Sequence, residues 1–147
     1  MKKFALAAAL LASAIQPSFA ACDTQSAREA EQAIRYVTDL MVVSSACRDT
    51  TYAEFRLRNK DQIISYQKAM ITHLHGNAAF DKWNTSLANI AAQKQAGLTT
   101  TQVCQQQATM LKQASLQDPK AFRAYVATQV TSPAAPAAVA ARSTKCR

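Results

Sequence analysis

The chain has 147 residues, 17 Lys and Arg against nine Asp and Glu, and a formal charge of +8 at neutral pH. That length suits one domain with one core. Two glycines in the whole sequence leave no glycine-rich phosphate loop, and no HExxH, GxSxG or CxxC spacing occurs, so the common signatures of metalloprotease, hydrolase and dithiol redox chemistry are missing.

Lys2 and Lys3 precede an apolar run from Phe4 to Ile15. The run is shorter than the about 20 residues of a spanning helix and has the length of a signal-peptide core. Pro17 interrupts any helix, and Ser18 and Ala20 put small residues where a signal peptidase reads them. Residues 1–20 are therefore expected to be a signal peptide cut after Ala20. The alternative is a lipobox at Phe19–Cys22, which would leave a lipoprotein anchored at Cys22. Phe19 in place of the usual Leu, and Gln16-Pro17-Ser18 between box and apolar core, favour the first reading. Cleavage leaves 127 residues (147 − 20) and a formal charge of +6 (15 − 9). The expected location is periplasmic or secreted, with no transmembrane helix in the mature chain. A basic balance there points to an acidic protein or an anionic envelope surface rather than nucleic acid. Ordinary solubilising charge is the plainer account of it.

Abundant Ala, Gln, Leu, Lys and Arg favour helix, and five segments carry helical periodicity. The first runs from about Ser26 to Cys47, with Ser26 and Glu29 as a capping box. Its stripe is Ala30, Ala33, Ile34, Val37, Leu40, Met41 and Cys47. The second opens on the pair Thr51 and Glu54. It carries Tyr52, Phe55, Ile63, Tyr66, Met70 and Leu74, is interrupted near Asn59, and ends at Gly76. The third is capped by Asn77, striped by Phe80, Trp83, Leu87, Ile90 and Ala91, and closed by Gly97. Thr99 with Gln102 opens the fourth, with Val103, Cys104, Met110, Leu111 and Ala114. Asp118-Pro119 starts the fifth, Asp as N-cap and Pro at the first helical position, followed by Phe122, Tyr125, Val126 and Val130. Short connections favour antiparallel neighbours. The expectation is an all-α fold, a compact bundle of four to five helices pinned by disulfides. It occupies residues 21–130, and residues 131–147 form a flexible Ala/Pro-rich tail.

Four cysteines in an exported chain suggest disulfides. The three pairings of Cys22, Cys47, Cys104 and Cys146 are equally open at this point. Lipid on Cys22 would leave one thiol odd.

His73 and His75, two apart on a helix, point about 200 degrees apart and do not converge on one metal. Near a helix C-terminus they suit the carbonyl end of the dipole instead. Carboxylates are spread out, and no cofactor motif is present. Nothing in these spacings supports an enzyme. The densest positive cluster is Arg56, Arg58 and Lys60, with Arg48 and Lys68 in reach along the sequence. It reads as a contact for an anionic partner or as a solvated helix face. Trp83 lies in an apolar stripe and reads as core.

"LMVVSSACR" from Leu40 to Arg48, a later aromatic-rich helix, and "TTTQVC" ending at Cys104 resemble small exported helical proteins of alpha-proteobacteria, over about residues 30 to 106. The resemblance implies a helical fold with Cys47 and Cys104 as partners, and brings no activity with it. A closed bundle permits that pair if the first and fourth helices are antiparallel neighbours. Cys22 is then expected to pair with Cys146, unless Cys146 bonds another molecule. The expected function is a non-enzymatic envelope protein that binds another protein, of the inhibitor, immunity or accessory kind. A periplasmic stress chaperone is the alternative. Acid activation would require many carboxylates to lose charge, and nine acids against fifteen bases in the cleaved chain fit that poorly.

Overall fold

The computed structural model describes residues 24–131. The expectations for residues 1–20, for Cys22 and Cys146, and for nearly all of the tail lie outside them. Every regular element among the described residues is helical: α1 Thr24–Cys47, α2 Thr51–Arg58, α3 Lys60–His73, α4 Asn77–Lys94, α5 Thr100–Gln106, α6 Ala108–Leu116 and α7 Pro119–Thr131.

Seven helices replace the expected four to five, because two of the predicted segments break. The second divides at Asn59 (φ −105°, ψ 15°) and the fourth at Gln107 (φ −100°, ψ 6°). Neither position is Gly or Pro. The backbone ladder runs on through both, from Asn59 N–H to Phe55 O and from Gln107 N–H to Val103 O. What changes at each break is the docking partner. α2 lies on α6 while α3 lies on α1 and α4, and α5 lies on α1 while α6 lies on α2.

Helix α1 is the centre of the fold. At 24 residues it is about 36 Å long, and it touches all six other helices. Ala30, Ala33, Ile34, Tyr36, Val37, Leu40 and Val43 are its buried face. Met41, expected in that stripe, is 36 % exposed. Around Tyr36 the rings of Phe55, Phe122 and Tyr125 gather at centroid distances of 5.8, 6.0 and 4.7 Å. Phe55 meets Phe122 edge-on at 5.0 Å, the arrangement that the ring quadrupoles favour. Trp83 packs beside Phe80, against the rim of this core.

The described residues hold one disulfide, Cys47–Cys104, with Cα atoms 5.6 Å apart. It ties the last residue of α1 to α5 and closes a 57-residue separation.

Two of the predicted caps are present in full. Thr99 and Gln102 form the reciprocal capping box, and Asp118 Oδ1 accepts the Ala121 N–H at 2.7 Å. Others move. α1 is already helical at Thr24, which places Ser26 inside it. At α2 the N-cap is Thr50, and Asp49 Oδ1 accepts the Thr51 N–H while Ser44 Oγ accepts that of Tyr52. Gly76, rather than Asn77, is the N-cap of α4. α4 ends at Lys94 in a tightened turn, ahead of Gly97. α3 ends in a Schellman motif, Gly76 N–H to Ile71 O and His75 N–H to Thr72 O. Its left-handed residue is His75 (φ 62°) rather than Gly76. α1 ends the same way, with Arg48 (φ 54°) in the left-handed position and Asp49 N–H bonded to Ser44 O.

Candidate functional site

The basic cluster at the end of α2 is where composition pointed first, and the structure divides it. Phe55 is fully buried, which turns Arg56, Leu57 and Arg58 outward. Arg58 then folds back onto α6. Its Nη2 donates to Ala114 O and Ser115 O, both at 3.0 Å, and its Nη1 lies 3.8 Å from Glu54. The last carbonyls of a helix have no partner within it, and Arg58 supplies one for α6. Its charge therefore serves the fold. Arg56 and Lys60, one turn apart, remain exposed. Arg48 and Lys68 are exposed elsewhere, at the end of α1 and in α3.

Beneath Arg58 a buried polar node fixes the same seam. Asn59, fully buried, donates through Nδ2 to Phe55 O at 3.0 Å and to Gln117 O at 3.1 Å. Tyr36 donates its hydroxyl proton to Gln117 Oε1 at 3.0 Å. The break between α2 and α3 is thus fastened to the link between α6 and α7, and α1 is fastened to that same link. Asn59 Oδ1 has no hydrogen-bond partner among the described residues. The amide cannot turn over to serve it, since both of its acceptors require the NH₂ group.

Two large apolar side chains flank this tie. Leu57, next to Arg58, is 78 % exposed, and Leu116, next to Ser115, is 76 % exposed. The other large exposed apolar residues are far less open, Ile90 at 44 % and Met41 at 36 %. Lys112 lies one turn before Leu116 and is also exposed. Asp61 and Asp118, exposed as well, interrupt the positive field. Periodicity did not single out either leucine, because both stand off the core-facing stripe. An off-stripe Leu beside Arg or Lys is the only signal the sequence held.

His73 and His75 are exposed at the end of α3, close to its carbonyl terminus. No group of three His, Cys, Asp or Glu side chains among the described residues is placed to hold a metal ion. No helix among them is long and apolar enough to cross a membrane. Comparison of the chain with protein-family models, with curated proteins and with solved structures gives no match.

Proposed function

We propose that this is a small exported protein that acts by binding another protein, through the seam of α2 and α6. The observation that carries this reading is the exposed pair Leu57 and Leu116 on a seam tied across by Arg58 and Asn59. Apolar side chains that already stand on a tied backbone lose little freedom when binding buries them. Arg56, Lys60 and Lys112 around them favour an acidic partner. Asp61 and Asp118 within the same field favour a protein, whose surface can match both signs, over a uniformly anionic membrane. Export rests on the amino-terminal Lys-apolar-small pattern, with processing after Ala20, and on the disulfide, which an oxidising compartment sustains.

Affinity capture from an envelope extract tests the reading, with the parent chain and the Leu57→Ser/Leu116→Ser variant compared. Both substitutions are on the surface and should change stability by no more than about 0.5 kcal/mol. A partner retained by the parent chain and lost at least tenfold with the variant is the expected result. A partner retained equally by both would remove the seam from the function, and retention only on anionic vesicles would make the target a membrane.

A further inference from the structure

A concave feature lies away from Leu57 and Leu116, reached by the seam's buried node only through Tyr36. A groove of about 250 Å³ lies between α1, α4, α6 and α7. Leu87, Ile90 and Met110 give it an apolar side, and the rings of Tyr36 and Tyr125 give it an aromatic one. The Tyr36 hydroxyl is already spent on Gln117, so Tyr36 offers the groove its ring. Arg35, Asp39 and Lys94 are its charged lining residues.

The two cations differ in how firmly they are held. Arg35 donates from Nε and Nη2 to Glu31 Oε1 at 2.9 and 2.7 Å, within α1, and Glu31 is only 17 % exposed. Lys94 reaches from α4 to Asp39 on α1 at 3.3 and 3.4 Å, and is 57 % exposed. An exposed pair of that length, made by a four-carbon side chain, exchanges readily with solvent or another anion. Lys94 is therefore the cation at this groove that can change partners. Tyr125 supplies a second donor. Burial, and after it the charge of Asp39, raise its hydroxyl above the ordinary phenol range, so it keeps its proton at neutral pH. The lining carries two cations against one anion, in a chain of charge +8.

We infer that this groove is a binding site for a small amphipathic carboxylate. Its apolar body would lie against Leu87, Ile90, Met110 and the tyrosine rings, and its carboxylate would take Lys94 from Asp39. The volume is slightly below the usual range of ligand pockets and suits roughly ten to fifteen non-hydrogen atoms. A ligand of that size binds with a Kd on the order of millimolar.

The probe is 4-phenylbutanoate, titrated into the full processed chain and followed by amide nitrogen–proton NMR, with 4-phenylbutan-1-ol as its uncharged control. Saturable shifts at Ile90, Lys94, Met110 and Tyr125 are expected, with the alcohol at least threefold weaker. Lys94→Gln should weaken the carboxylate several-fold. Asp39→Asn should tighten it several-fold, because it frees Lys94, a change that a merely structural ion pair would not produce. Both side chains are substantially exposed, and unchanged spectral dispersion shows that the variants fold. No saturation at 20 mM of added ligand (a ceiling of roughly ten times the expected Kd), equal binding of acid and alcohol, or no gain in Asp39→Asn would each overturn the proposal.

Discussion

Arg48 and His75 hold backbone angles that L side chains avoid, at φ 54° and 62°. A left-handed residue with a Cβ costs roughly 1–2 kcal/mol, and glycine there gives back about 0.5–1 kcal/mol through its freer unfolded chain. Arg48→Gly and His75→Gly should therefore each stabilise the protein by about 0.5–1 kcal/mol, read from urea midpoints at constant m. That Gly76 would end α3 was a local inference and nearly right. It missed by one residue because a glycine at the position after the left-handed one serves the same turn. The buried phenols give a second expectation. Burial raises the Tyr36 hydroxyl most strongly, with neighbouring Tyr125 adding to it. Tyr66 is raised by burial first and by Glu29 next, against smaller opposing effects of Gln62 and Arg123. A phenol whose folded pKa exceeds its unfolded value near 10 is protonated more firmly in the native state. Its contribution is complete below about pH 10 and disappears as pH rises through the folded value. Equilibrium unfolding should thus be flat between neutrality and about pH 9 on this account, then weaken with further alkali. Tyr36→Phe should flatten that alkaline fall, while costing about 1–2 kcal/mol at pH 7 because Gln117 Oε1 loses its donor.

Helices were legible where the signal was local, and illegible where it was not. The Thr99–Gln102 box and the Asp118-Pro119 start are complete within four residues of chain, so sequence alone places the starts of α5 and α7 correctly. The stripes of α1 and α3 emerge largely as drawn, except that Met41 is exposed and Tyr36 and Val43 join the buried face of α1. The stripe itself shows the interruption near Asn59, but the bond that fastens it goes to Gln117, 58 residues away, and no window of ordinary length contains both. Arg58 shows the same limit. Its charge was visible, but its partners, the final carbonyls of α6, are 56 and 57 residues distant. A basic cluster expected to face outward is consequently one-third structural. Arg58→Ala should lower stability by about 1–2 kcal/mol by unseating the end of α6. Arg56→Ala should stay within about 0.5 kcal/mol. Chemical denaturation of the two variants side by side distinguishes them. Equal losses would mean that the bonds from Arg58 do not hold the seam.

For the molecule as a whole, the disulfide is the longest-range covalent constraint among the described residues. Closing 57 residues is worth about 4 kcal/mol in the chain-entropy argument. The Cys47→Ser/Cys104→Ser variant should lose most of that, with helicity by circular dichroism kept at low temperature and the thermal midpoint lowered. Unchanged stability would mean that α5 is held by its packing on α1 alone. That packing has a further consequence, which lies in time rather than in energy. The first described helix is the one all the others rest on, and its covering pieces are made last: Tyr36 waits for Gln117, 81 residues later. At synthesis rates of roughly 5–20 residues per second, the apolar stripe of α1 stays incompletely covered for about 4–16 s. A chain built in this order completes its core only when its last helix is made.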